Sequence, residues 1–201
     1  MRALTEDETA RVVNAALSES ADALQALRAD ATALAAIARA AALVVDAFAR
    51  GGRVFSCGNG GSMCDAMHLA EELAGRFRDD RRALPAMAIS DPGLLSCVAN
   101  DYGYERVFAR FLEAHGRPGD VFIGISTSGN SPNVLAAATA ARTLGMRTIA
   151  LVGRPGSPLE SAADLAIVTP AGRYSDRIQE LHIKVIHVLI ELIEHEMFPT
   201  P

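Results

Sequence analysis

From Arg53 onward the chain repeats one rhythm: a short apolar run, then a loop of Gly, Ser, Asp, Asn or Pro, then in most cases apolar positions at helical spacing. The runs are Val54–Cys57, Ala86–Ile89, Val121–Ile125, Thr148–Val152 and Leu165–Val168. Short segments that are apolar at nearly every position behave as strands buried on both faces. Their alternation with helices predicts an α/β fold with a five-stranded, doubly wound parallel sheet, since parallel crossovers are right-handed. In such sheets ligands bind beyond the carboxyl ends of the strands. The loops after each run are therefore where chemistry is expected.

A different pattern flanks this core. Thr5 and Glu8 have the spacing of a capping box, and Val12, Val13, Ala16 and Leu17 follow as an apolar stripe. A second, Ala-rich helix is expected from Thr32 to Arg50, stopped by Gly51-Gly52. Residues 1–50 thus form a helical pair beside an α/β core over 51–201, the whole making a single domain. The pair brings no polar loop chemistry, so packing against the core or another subunit is its expected role. The last helix, Tyr174 to Met197, is apolar around most of its circumference. Such a helix is buried on all sides, which in a domain of this size points to oligomerisation.

Two of the loops are rich in groups that donate to anions. The first run empties into Gly58-Asn59-Gly60-Gly61-Ser62 ahead of a helix. Glycines let backbone N–H groups approach a ligand, and a helix N-terminus favours negative charge. A triphosphate-binding P-loop is excluded because no Gly-Lys-Ser/Thr follows, and a dinucleotide fingerprint because Met63 stands where its third glycine belongs. The third run ends in Ser126-Thr127-Ser128-Gly129-Asn130-Ser131, with Pro132 suited to a first helical position. Hydroxyls at a helix start make a cradle for a phosphate monoester. The plain alternatives are a tight turn in the first loop and an N-capped turn in the second. Together the loops indicate a small phosphorylated metabolite.

Composition narrows the partners. The 201 residues carry a formal charge of −5, with no basic stripe of the kind nucleic acid requires, so no nucleic-acid partner is expected. Cys57, Cys64 and Cys97 form no close Cys-x-x-Cys pair and are expected to be reduced. The start of the chain lacks a basic-then-apolar signal pattern. The longest apolar stretch, Ala31–Ala49, is interrupted by Arg39 and Asp46. The expected setting is cytoplasmic, with no membrane partner.

Side chains able to move protons or hold a metal lie on two helices. His68 and Glu72, four residues apart, share a helical face just past the glycine loop. Gln179 and His187, eight apart, face roughly the same way on the last helix. Either histidine, taken alone, reads more readily as a satisfied core residue than as a catalyst.

The segment Ser56-Cys57-Gly58-Asn59-Gly60-Gly61-Ser62, continued through Asp65, His68, Glu71-Glu72 and Arg76, resembles the signature of the phosphoheptose isomerases, a family within the sugar isomerase (SIS) superfamily. Asn100-Asp101, Ser126 to Ser131, and Asp176-Arg177-Ile178-Gln179-Glu180 leading to His187 extend the resemblance over nearly the whole chain. It implies a flavodoxin-like sheet of order 2-1-3-4-5 and a homotetramer with sites at subunit interfaces. Substrate contacts would come from Asn59, Gly60, Gly61, Glu72, Asn100, Asp101, Ser126, Thr127, Ser128, Ser131 and Gln179, with Arg76 and Asp176 in support. The hydroxyl loop would hold the phosphate. One divalent ion per subunit, usually zinc, would be held by His68, Glu72, Gln179 and His187. The spacing of His68 and Glu72 suits zinc, whereas Gln is an unusual ligand.

The implied reaction converts D-sedoheptulose 7-phosphate to D-glycero-D-manno-heptose 7-phosphate through an enediol(ate), with Glu72 as base and His187 as its acid/base partner. Its setting would be supply of heptose for the lipopolysaccharide core. Three rivals stand beside it: a non-catalytic SIS sugar-phosphate sensor of the replication-initiator-associated type, an isomerase of another sugar phosphate, and a scaffolding protein. A pure binding module needs neither Glu72 nor His187, and a scaffold leaves both loops unexplained.

Overall fold

The computed structural model describes residues 2–199. Five parallel strands, β1 (Val54–Cys57), β2 (Ala86–Ala88), β3 (Val121–Ser126), β4 (Arg147–Val152) and β5 (Leu165–Val168), form one sheet of order β2-β1-β3-β4-β5. All five expected strands are present, and only their ends move by a residue or so. The strand order reverses between β1 and β3, which lie side by side with Val54 opposite Val121 and Cys57 opposite Gly124. The glycine loop and the hydroxyl loop leave these two neighbours, so the switch point of the sheet brings both together.

Alternation along the strands divides the interior into two layers. Val121, Ile123 and Ile125 pack with Ile149, Leu151 and Ile167 against α2 (Ala31–Ala49), α3 (Gly61–Ala74) and α8 (Ser175–Met197). Phe55, Cys57 and Phe122 point the other way, toward α4 (Pro92–Tyr102), α5 (Val107–His115), α6 (Pro132–Thr143) and the short α7 (Pro158–Ala162). A 3-10 turn, Tyr104–Arg106, joins α4 to α5. The far ends of β1 and β3 are tied by Asp120, which accepts hydrogen bonds from the Arg53 backbone N–H and guanidinium.

The N-terminal pair forms as its caps dictate. Thr5 and Glu8 make the reciprocal capping box at the start of α1 (Glu6–Ala29). Asp30 caps α2 by accepting from the N–H groups of Thr32 and Ala33. α2 is long and apolar enough to span a membrane by composition. Here its buried face, from Ala36 through Val44 to Phe48, lies on the sheet and α8.

α1 has no buried residue, and Val12, Val13 and Leu17 are exposed. The last helix departs from its expected role. Ile178, Leu181, Val185, Ile186, Leu189, Ile190 and Ile193 are consumed inside this chain, leaving Val188 as its exposed large apolar residue. Enclosure of α8 by the sheet, α1, α2 and α3 accounts for its greasiness. The uncovered apolar stripe is on α1.

His182, midway along α8, is wholly buried, and neither ring nitrogen has a hydrogen-bond partner of good geometry among the described residues. Burial lowers its pKa to about 4, the Val152 carbonyl pulling the other way. The unfolded chain takes up this proton near pH 6.5, the folded chain only near 4, so stability is lost as pH falls through that window. The loss amounts to at most about 3 kcal/mol. Denaturant titrations at pH 7 and pH 4.5 should show a markedly smaller pH-dependent loss for His182→Leu than for the parent chain. Equal losses would assign the acid sensitivity elsewhere.

Candidate active site

Beyond Cys57 the chain turns sharply into α3. Gly60 adopts φ +55°, ψ −122°, a conformation that side-chain-bearing residues rarely take. Gly61 lies hard against α8: a Cβ there would sit 2.5 Å from Nε2 of Gln179, and the amide would have to move aside. The missing side chain admits the α8 amide to the mouth of the glycine loop. Asn59 is held from across the switch point. Its Nδ2 donates to Asn133 Oδ1 at 2.8 Å, its Oδ1 accepts from Asn133 Nδ2 at 2.8 Å, and Tyr104 Oη donates to the same Oδ1 at 3.1 Å. Asn133 is buried in the first turn of α6, so this reciprocal amide pair locks one ligand loop to the other.

The loop after β3 is organised around its hydroxyls. Ser126 Oγ lies 3.0 Å from Ser131 Oγ and accepts from the Gly129 N–H, and Ser128 Oγ accepts from the Asn130 N–H. Gly129 turns the chain at φ +66°. Ser131 is the N-cap of α6, yet its hydroxyl makes no capping bond to that helix. Hydroxyls and helix dipole therefore converge on one small volume, as phosphate recognition requires.

The side chains with acid, base or ligand chemistry meet where α3 packs on α8. His68 Nε2 lies 2.9 Å from His187 Nε2 and 3.7 Å from Glu72 Oε1. On its other side His68 Nδ1 contacts Glu71 Oε1 at 2.9 Å. A carboxylate there holds the proton on Nδ1 and leaves the Nε2 lone pair directed at His187. Burial lowers the pKa of His187, and the unfavourable closeness of a second imidazolium at His68 and of the Lys184 ammonium lowers it further, so its ring is neutral near pH 7. Asp65, one turn earlier on α3, is buried with Oδ2 unpartnered among the described residues, and desolvation raises its carboxyl to about 6 against the pull of His68.

This donor set fits a divalent cation. His68, Glu71 and Glu72 offer ligand atoms within 4.8 Å of one another, and His187 adds an imidazole from α8. Two imidazoles and a carboxylate suit zinc, and a carboxylate on the remote ring nitrogen is the usual support of a metal-bound histidine.

The other expected residues are more loosely placed. Asn100 and Asp101 close α4, exposed, with Asn100 Nδ2 donating to Asp101 Oδ1, and among the described residues no hydrogen bond joins them to either loop. Arg76 is exposed just past α3, and Asp176 is exposed at the start of α8, beside Arg177. Sequence reasoning assigned no role to Glu71, Asn133 or Tyr104. The i,i+3 spacing of His68 and Glu71 was a weak signal for the first, whereas the amide pair joins residues 74 positions apart and leaves none.

Comparison with known proteins identifies the family. The SIS domain family matches residues 17–153. The phosphoheptose isomerase of Vibrio cholerae is 54% identical over 186 residues, covering 92% of this chain and 97% of that protein. That of Yersinia pestis is 55% identical, covering 92% and 96%. Among solved structures, the phosphoheptose isomerase GmhA of Neisseria gonorrhoeae superposes with a TM-score of 0.86 at 37% identity, covering 92% of this chain and 98% of that one. The Francisella tularensis phosphoheptose isomerase gives 0.87 at 34%, covering 93% and 98%. The chain belongs to the phosphoheptose isomerase family of SIS-domain proteins.

Proposed function

We propose that this chain isomerises D-sedoheptulose 7-phosphate to D-glycero-D-manno-heptose 7-phosphate, supplying heptose for the lipopolysaccharide core. The observation that carries the reading is the meeting of His68, Glu72 and His187 where α3, which the glycine loop opens, packs on α8. A sensor of sugar phosphates has no use for a carboxylate and two imidazoles in contact.

The phosphate sits against Ser126, Thr127, Ser128 and Ser131 at the start of α6. Asn59, Gly60, Gly61 and Gln179 line the sugar, and Asn100, Asp101, Arg76 and Asp176 close over it. Glu72, half-buried beside His68, removes a proton from C1 of the ketose. The C1–C2 bond gains double-bond character as O2 takes up a proton. Loss of the O1 proton and return of a proton to C2 then complete the aldose. His187, held neutral, is suited to shuttle protons between the oxygens. His68, Glu72, Gln179 and His187 would hold one zinc ion, whose chemistry when bound is Lewis-acid stabilisation of negative charge on oxygen. Glu72 can serve as base only while loosely held, because a tightly bound carboxylate is a weaker one.

The assembly is a homotetramer with its sites at subunit interfaces, in the cytoplasm. Supporting this are the exposed apolar stripe on α1 and the exposed placement of Asn100, Asp101 and Arg76, which a neighbouring subunit can cover.

Turnover of sedoheptulose 7-phosphate by the purified protein should disappear on chelation and return with zinc; activity that survives complete metal removal keeps the isomerase and discards the ion. Glu72→Gln should lower kcat by about 10²- to 10⁴-fold with KM little changed. An active Glu72→Gln enzyme takes that residue out of the base role. Ser126→Ala and Ser128→Ala should chiefly raise KM, and a fall in kcat alone would count against phosphate holding. Sedimentation should give a tetramer that Val13→Glu with Leu17→Glu splits; an unaffected tetramer places the interface elsewhere.

A further inference from the structure

Arg81 lies outside every motif picked out in the sequence, yet its side chain is only 4% exposed. Its guanidinium gathers five contacts. Nη2 donates to the Glu72 carbonyl at 2.7 Å, and Nη1 donates to the carbonyls of Leu73, Gly75 and Arg82 at 2.9, 2.8 and 3.3 Å. Nε donates to Glu194 Oε1 at 2.7 Å. Glu72 and Leu73 belong to the last turn of α3, whose carbonyls have no partner within the helix. A fixed positive charge there also opposes the negative end of the helix dipole.

Glu194 stands seven residues after His187, two turns along the same face of α8. One guanidinium thus grips the backbone of Glu72 itself and the helix that carries His187. A second strap, Arg78 to Glu191, runs between the same elements, but its side chains are 60% and 36% exposed. Exposed pairs contribute little, whereas removing one partner of a buried pair strands a charge. The Arg81–Glu194 pair is therefore the one able to set the spacing of the two helices.

We propose that Arg81, through Glu194, is a positioning residue for the reacting cluster: it fixes α3 against α8 and so sets the approach of His68 and Glu72 to His187. The inference rests on the cluster being the reacting centre. Arg81 needs no contact with substrate or metal to act in this way. Lysine cannot replace it, because a single ammonium lacks the planar fork that reaches carbonyls and carboxylate together.

The test compares Arg81→Lys, Glu194→Gln and the double variant Arg81→Met/Glu194→Met with Asp120→Asn, which breaks the Arg53–Asp120 tie at the opposite end of the strands. For each, kcat and KM for sedoheptulose 7-phosphate, zinc affinity by competition with a chromophoric chelator, and Tm are measured. Arg81→Lys and Glu194→Gln should each lose up to about 100-fold in kcat with KM within about twofold. Zinc affinity should fall by about 10- to 100-fold, as for loss of groups that orient ligands. Asp120→Asn should lower Tm while leaving kcat and zinc affinity as in the parent. The double variant should be at least as impaired as Glu194→Gln, since it removes the donors to four carbonyls as well as the contact with Glu194. If Arg81→Lys and Glu194→Gln lower Tm as Asp120→Asn does but keep parental kcat and zinc affinity, Arg81 is a cap alone and the proposal fails. A parent protein with neither turnover nor zinc binding overturns the reading of the cluster, and the proposal with it.

Discussion

Two helices from opposite halves of the chain lie on one face of the sheet, and every proton-moving group of the site hangs on how closely they pack. α3 follows the first strand and α8 ends the fold, so His68 and His187 are 119 residues apart in sequence and 2.9 Å apart in space. Neither helix is aimed by its own loop alone. α3 is launched by the turn at Gly60, and α8 is pressed down by Val185, Ile186, Leu189 and Ile190 against the sheet and α2. Close packing of these apolar surfaces leaves little freedom for the polar groups at their rim. At one point the contact is so close that a side chain on Gly61 would push the Gln179 amide from its place.

The division of labour follows from the sheet. Strand order reverses between β1 and β3, so their loops open side by side and the amide pair of Asn59 and Asn133 can join them. Anion-binding groups come from backbone and hydroxyls at that edge, where geometry is set by strand register. Acid, base and ligand groups come from helix faces, where it is set by side-chain packing. The first arrangement is rigid by covalent proximity; the second depends on tertiary contacts such as Arg81 with Glu194.

Much of this was legible in the residues. The five apolar runs marked every strand because a parallel sheet covered on both faces has no solvent side to interrupt the pattern. Thr5 with Glu8 and the two chemical loops were equally readable, since caps and tight turns depend on neighbours in sequence. The purpose of the apolar α8 was not, because hydropathy tells that a face is covered and not by what: the cover is internal, and the stripe left open is on α1. Tyr104, Asn133 and Arg81 were invisible for the same reason, their partners being set by the fold. The i,i+3 step from His68 to Glu71 is present in the sequence but carries little signal there, since an acidic residue on an exposed helix face is ordinary.

The amide pair also bears on how the protein ages. Asn59 precedes Gly60, and an asparagine before glycine loses ammonia readily because the unhindered glycine nitrogen can attack the side-chain carbonyl. In the folded chain that carbonyl accepts from Asn133 and Tyr104, which restrains the rotation the attack needs. Loss of the amide would set a carboxylate against Asn133 Oδ1 in place of the donor now bonded there. The bracing that orders the ligand loops thus doubles as chemical protection for the residue at their centre, and its lifetime is tied to the loops staying folded.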